Sequence, residues 1–471
     1  MTSPGSAEKS AINVGRDIVR FGTAITLTVA LGAAQVFVLP RRLEMETFGE
    51  YRLFMVYVAY VGLLHFGLAD GAFVRWAGKS TNQIRREWTR VFRWMTAIEC
   101  GVLALAIFIS YLTRSRVAAT ILIGIGACAL AVNLSTLSAY ALQAAGDFRD
   151  AGIVAVIGPA GFVAAIVLLP TNTLATVLVA YSGTMGISAL VGSLLVARLR
   201  HDASGDDSSP LSMSTLMHSG RHVLGANLAA GLAQSVDRML VTMLVPMTSF
   251  ALYGFASSVS VAGISATQTM SRVALSHAAR REGDERARFL GKFYDLTLAA
   301  YGVALVGLPL FERIVSRVVP AYVDALPMVR AFVAGAPFWI ALHVVIVGTL
   351  QSYHRVRRQF AIELGGAALV AAACGACLLL NAPMWVVASV ASIAAAATWA
   401  GGVAALNAAV PAARTQGAMR FFSTCVLQSA AIGVAFSVTQ NWKLQTALYV
   451  LLATIPTAVA ARAARSALRA P

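Results

Sequence analysis

The sequence predicts an all-α polytopic membrane protein of about 14 transmembrane helices: two pseudo-symmetric six-helix lobes followed by two C-terminal helices. Three observations predict it. The 471 residues are 58% hydrophobic and only 12% charged, with a mean hydropathy of +0.72; soluble domains carry about 45–50% apolar and about 25% charged residues. Apolar runs recur along the whole chain, each long enough for the roughly 20 residues a helix needs to cross the hydrocarbon layer. Finally, Lys and Arg alternate between the two sides of those runs.

The first lobe contains the runs 18–39, 53–73, 91–112, 117–143, 151–169 and 172–196. The first is too long for the apolar core of a cleavable signal and ends at Pro40-Arg41-Arg42, so it reads as a retained helix. A polar linker, His201–Ser219, separates this lobe from the runs 222–245, 250–276, 291–311, 328–353, 360–380 and 384–408. The runs 419–439 and 444–461 form the additional pair. The expected organisation is therefore 1–200 for the N-terminal lobe, 201–220 for a cytoplasmic linker, 221–410 for the C-terminal lobe and 411–471 for the last two helices.

With the N-terminus inside, the basic stretches Arg75–Arg93, Arg198–Arg221, Arg272–Lys292 and Arg355–Arg358 all fall on the cytoplasmic side. The outer side holds a smaller set, including Arg41, Arg42, Arg114, Arg116, Arg313, Arg317, Arg330 and Lys443. That roughly threefold bias is a positive-inside signal and places both termini in the cytoplasm. The 37 Lys and Arg against 21 Asp and Glu thus reflect topology, and no nucleic-acid partner is needed. All five cysteines lie in apolar runs, so no disulfide framework is implied; Cys374 and Cys377 read as small hydrophobes in a lipid-type helix.

A shift of 202 residues sets Thr47-Phe48-Gly49-Glu50-Tyr51 on Ser249-Phe250-Ala251-Leu252-Tyr253, Arg75 on His277 and Gln35 on Asp237. Six helices per half keep both halves in one orientation, a parallel repeat. Further motifs are Ala69-Asp70-Gly71-Ala72-Phe73-Val74-Arg75, Asp237-Arg238, Ala251-Leu252-Tyr253-Gly254-Phe255-Ala256 and the stretch Tyr353–Phe360. In their order and spacing, over about residues 12 to 410, these motifs resemble polysaccharide flippases of the multidrug/oligosaccharidyl-lipid/polysaccharide exporter superfamily. The resemblance implies two six-helix lobes forming a V around a cavity. It also implies alternating-access transfer of a polyprenyl-pyrophosphate-linked oligosaccharide from the cytoplasmic to the outer leaflet. Such a protein serves lipopolysaccharide or exopolysaccharide synthesis in a bacterial inner membrane as a monomer, among membrane lipids and beside polymerase and export machinery. It needs no cofactor. The last two helices depart from the twelve-helix pattern and could resemble the extra pair of the lipid II flippases.

Polar residues at helical spacing mark candidate sites. Asn133, Thr136, Tyr140 and Gln143 recur at steps of three and four, as do Asn227, Gly231, Gln234 and Arg238. Each stripe lines a substrate path or, alternatively, packs helices closely. Arg238 lies 17 residues beyond Arg221, so roughly 25 Å along the helix, too deep for cytoplasmic water. It is read either as a fork of donors for pyrophosphate or as half of an ion pair between helices; adjacent Asp237 points about 100° away. Arg75 and Arg272 join this substrate set as cations at the cytoplasmic mouth, alternatively as positive-inside anchors. Asp237, Glu99 and Glu363 are the candidates for ion coupling, since acids at membrane depth serve that role or are paired. His343 reads as a bonded packing residue or a titrating group.

Two other classes compete. A cation-coupled multidrug exporter favours carboxylates where this chain places Arg and amides. A multi-pass glycosyltransferase or polymerase needs a large outer loop, whereas the outer loops here are short. No GxxxxGK[ST] motif occurs. The chain is read as a transporter, not an enzyme.

Overall fold

The computed structural model describes residues 4–76, 79–170, 172–199, 212–261, 283–353, 355–409 and 417–453, and among them every element is helical. In chain order these are α1 (Pro4–Arg42), α2 (Met45–Val58), α3 (Leu68–Trp76), α4 (Thr81–Leu112), α5 (Arg116–Ala144), α6 (Phe148–Leu168), α7 (Leu174–Ala197) and α8 (Met213–Leu244). There follow α9 (247–261), α10 (Gly283–Val318), α11 (Leu326–Ala341), α12 (Gly348–Ser352), α13 (Val356–Leu379), α14 (Met384–Ala409), α15 (Ala418–Val438) and α16 (442–453). A helix satisfies its own backbone, which is why apolar runs in lipid take this form. The turns between runs are set by side-chain caps. Ser80, Ser115 and Asp147 each accept from the amide three residues on, and Thr173 with Thr176 forms a capping box.

Among the described residues ten spans are long and apolar enough to cross a membrane, and a bent pair makes up to eleven. α8 covers the expected run 222–245 but falls outside that set, as its Gln234, Asp237 and Arg238 suggest. The runs 250–276 and 444–461 begin as α9 and α16; their later parts, like most of the linker and Arg272, lie outside the described residues. The about 14 helices expected are compatible with this arrangement.

One run differs from expectation. Residues 53–73 do not form one helix: α2 and α3 meet at a 61° bend, joined by a 3-10 turn over Val61–His65. Phe66 (φ 51°) and Gly67 (φ 78°) lie in the left-handed region, and the Gly67 amide donates to Nδ1 of buried His65 at 3.1 Å. At this bend α3 comes close to α8. A Cβ on Gly220 would strike the Gly67 carbonyl, and one on Gly71 would strike the carbonyl of Leu216.

The chain forms two compact units, Met1–Gly231 and Leu232–Pro471. In the first, α5 packs against both α4 and α7, and α6 against α1. Its core includes Trp76, Trp88, Met95, Leu137 and Phe162, with Tyr51, Phe54, Phe162 and Tyr181 in an aromatic cluster. In the second, Tyr294, Phe338, Trp399 and Phe421 bring α10, α11, α14 and α15 together. The first of the two additional helices is bound there as well: the Tyr301 hydroxyl meets the Ser429 hydroxyl at 2.6 Å, and Arg420 pairs with Asp295.

These contacts predict a graded response to added methyl groups. Gly71→Ala and Gly220→Ala should each cost about 1–3 kcal/mol by overpacking against rigid backbone, seen as lower denaturation midpoints of purified protein in detergent. Gly101→Ala meets nothing within 4 Å and should stay within about 1 kcal/mol of wild type. Equal midpoints for all three would contradict the close approach.

Candidate functional site

In the second unit the polar residues of α8 meet those of four other helices. A cavity of about 40 Å³ is lined by Gln234, Asp237 and Arg238 of α8, Ser257 and Ser260 of α9, and Trp339 of α11, among others. That volume holds a water molecule or two, or a bare ion; it does not hold a sugar. Asp237 is 6% exposed, and its Oδ2 accepts from the Tyr253 hydroxyl at 2.7 Å. Its Oδ1 lies 3.8 Å from Nε of Arg238, the long pair that adjacent helical positions impose. The Arg238 guanidinium instead donates through Nη2 to the Gln234 carbonyl one turn back, and its Nε is buried with no hydrogen-bond partner among the described residues.

The network continues away from the cavity. Nε2 of Gln234 lies 3.1 Å from Nε2 of His343, whose Nδ1 lies 2.9 Å from the Trp339 carbonyl. Glu363 on α13 is fully buried; its Oε1 is 3.9 Å from Nε2 of His343 and accepts from the Gln359 amide at 3.4 Å. Its Oε2 has no partner among the described residues. His343 stands in a π-helical segment, Leu342–Val347, between α11 and α12. Such widened turns often accompany functional sites. The fold thus brings together Gln234, Asp237, Arg238 and Glu363 of the residues singled out from the sequence.

In the first unit Glu99 on α4 is fully buried. One amide group, that of Asn133 on α5, donates to Oε1 of Glu99 at 2.6 Å and to the Val61 carbonyl at 2.9 Å. Val61 opens the 3-10 turn between α2 and α3, so this amide ties the buried acid to the break. Arg75 lies 3.4 Å from Glu87, which also takes Lys79 and accepts from the Trp76 indole at 3.2 Å. Tyr140 packs its ring on Phe73 at 4.7 Å, and Gln143 is half-buried near the end of α5. Asn227 is exposed on α8, and Arg272 lies outside the described residues.

Sequence reasoning passed over three residues that matter here. Tyr253 was noted for its motif and not as the partner of Asp237, from which it is 16 positions distant. Gln359 stands in the Tyr353–Phe360 motif but not as a partner of Glu363, and Glu87 carried no signal beyond being an acid within a basic stretch.

No family model and no curated protein matches the sequence. Solved structures do match, and the chain shares their fold. The lipid II flippase MurJ, in an inward closed conformation, aligns with a TM-score of 0.71 and 14% identity over 94% of this chain and 99% of its own. An inward-facing multidrug resistance MATE family transporter aligns with a TM-score of 0.61 and 13% identity over 84% of this chain and 96% of its own. A MOP superfamily transporter from Pyrococcus furiosus gives 0.57 and 11% identity over 83% and 96%.

The first-unit clasp makes a specific prediction. Asn133→Leu removes the donor from two buried acceptors and should cost about 2–4 kcal/mol, measured by unfolding in detergent. Glu99→Gln keeps an acceptor for the Asn133 amide and should cost about 1 kcal/mol or less. An Asn133→Leu protein as stable as wild type would show that the clasp holds nothing.

Proposed function

We propose that the chain is a flippase that carries a polyprenyl-pyrophosphate-linked oligosaccharide from the cytoplasmic to the outer leaflet by alternating access. In this reading it resides in a bacterial inner membrane with both termini in the cytoplasm and serves cell-surface polysaccharide synthesis, with polymerase and export machinery as partners. The lobes are 1–200 and 221–410, joined by the linker 201–220 and followed by the helix pair in 411–471. The protein acts as a monomer without a cofactor.

The observation that carries the proposal is the extent of the shared fold. The likeness to a lipid II flippase runs over 94% of the chain, against 83–86% for the exporters of the same fold. The charge at the cavity agrees with it. Arg238 spends one donor on its own helix and holds Asp237 only at a distance, leaving capacity for an anionic group. In the proposal Arg238 and Gln234 engage pyrophosphate, Asn133, Asn227, Tyr140 and Gln143 line the glycan path, and Arg75 and Arg272 attract the headgroup at the cytoplasmic mouth. Asp237, Glu99 and Glu363 are the coupling acids. A cation-coupled multidrug exporter is the second reading, favoured by the two fully buried acids Glu99 and Glu363.

Arg238 separates binding from structure. If it grips phosphate, Arg238→Lys keeps part of the glycan export and Arg238→Gln loses nearly all of it, at unchanged membrane abundance. If it serves only to neutralise Asp237, Arg238→Gln strands a buried carboxylate at about 3–5 kcal/mol and lowers abundance, and Asp237→Asn in the same chain restores it. Full export by abundant Arg238→Gln would remove Arg238 from the substrate path.

A further inference from the structure

The Trp339 carbonyl can only accept, so Nδ1 of His343, 2.9 Å away, carries a hydrogen. Whatever proton the ring gains must therefore arrive at Nε2. Among the described residues, two groups face that atom: the Gln234 side-chain amide at 3.1 Å and Oε1 of Glu363 at 3.9 Å. As oriented, Gln234 turns its NH₂ toward the Nε2 lone pair, which describes a neutral imidazole. Glu363, fully buried with one long bond from Gln359 and an unpartnered Oε2, is then poorly solvated as an anion. Nε2 and Oε1 are thus two acceptors facing each other in a buried space with room for one proton between them.

The other charged groups nearby are already engaged or remote. Asp237 is held by Tyr253 and Arg238, Asp295 pairs with Arg420, and Glu312 with Arg330. α12 and α14 carry no charged residue. Lys292, Arg313, Arg317, Arg357 and Arg358 stand toward the ends of their spans. Among the described residues, Glu363 is therefore the acid that faces His343.

We propose that His343 and Glu363 form a single-proton site whose state Gln234 relays to the cavity at Arg238. With the proton on Glu363, Gln234 donates its NH₂ to the neutral imidazole. With the proton on His343, Nε2 becomes a donor, and Gln234 must present its carbonyl oxygen instead. An amide achieves this by turning 180°. The turn reverses the polarity that Gln234 shows to its surroundings, and Gln234 lines the same cavity as Arg238 and accepts from it through its backbone carbonyl. Between these two states the proton passes from Oε1 to Nε2 and no atom is gained or lost; emptying or filling the site exchanges that one proton with water. The imidazole stands in the π-helical turn Leu342–Val347, a widened turn of the kind that often accompanies functional sites. The relay to an anionic ligand rests on the flippase reading; the proton site does not.

Trp339 is a built-in reporter, its ring centroid 5.9 Å from that of His343, because an imidazolium quenches a neighbouring indole. The purified full-length chain in lipid nanodiscs is titrated between pH ~5 and ~8.5, the range in which histidine charge changes are read. Trp339→Phe identifies the signal. A transition in the Trp339 component is expected in wild type, lost in His343→Gln, displaced in Glu363→Gln and retained in Gln234→Leu. No transition in wild type, or one unchanged in His343→Gln or in Glu363→Gln, would overturn the site. The relay is read separately, by calorimetry of geranylgeranyl pyrophosphate binding in two buffers of different ionisation enthalpy. Proton exchange on binding is expected in wild type and lost in Gln234→Leu and His343→Gln. Equal proton exchange in Gln234→Leu would overturn the relay. Failure of the probe to bind wild type would overturn the relay and count against the flippase reading, while the fluorescence titration still decides the proton site.

Discussion

A charge inside the hydrocarbon layer has to be partnered or lead to water, because leaving it alone costs several kcal/mol. Much of this protein's interior follows from that constraint. Asp237 draws α9 onto α8 through the Tyr253 hydroxyl, and Glu87 gathers Arg75, Trp76 and Lys79 at the junction of α3 and α4. Arg420 and Asp295 fix α15 to α10, and Arg330 makes two bonds of 2.7 Å to Glu312 while lying over the Phe436 ring at 4.0 Å. Apolar packing in lipid has little preference for one neighbour over another. These few polar contacts therefore do much to choose which helices are adjacent.

The two fully buried acids share a further feature. Glu99 is tied through Asn133 to the 3-10 turn between α2 and α3, and Glu363 faces His343 in a π-helical turn. Both irregularities expose backbone or side-chain groups that a straight helix would keep to itself. Each unit thus places an acid at membrane depth beside a point where a helix departs from regular geometry.

The helices were legible in the sequence because apolar runs in lipid have one stable form, and the flanking basic residues mark their ends. Arg238 was legible for the same reason, as a charge that stands out against its surroundings. What escaped was long-range pairing. His343 lies 109 residues from Gln234, and Asn133 lies 34 from Glu99; no local pattern joins them. The broken run 53–73 was hidden too. Its bend coincides with backbone contact between Gly67 and Gly220, and the local hints were Gly62, Gly67 and Gly71 within the apolar stretch.

The central claim is that this fold moves an anionic, lipid-linked glycan. Its most direct test is leaflet access in proteoliposomes containing the purified chain and a radiolabelled polyprenyl-pyrophosphate-linked oligosaccharide loaded in one leaflet. An impermeant glycosidase is added to the opposite side. The account predicts cleavage that depends on the protein and is competed by unlabelled polyprenyl-pyrophosphate glycan. A glycan that stays protected while the same vesicles expel a cationic dye down a proton gradient would contradict it, and would make the chain an exporter.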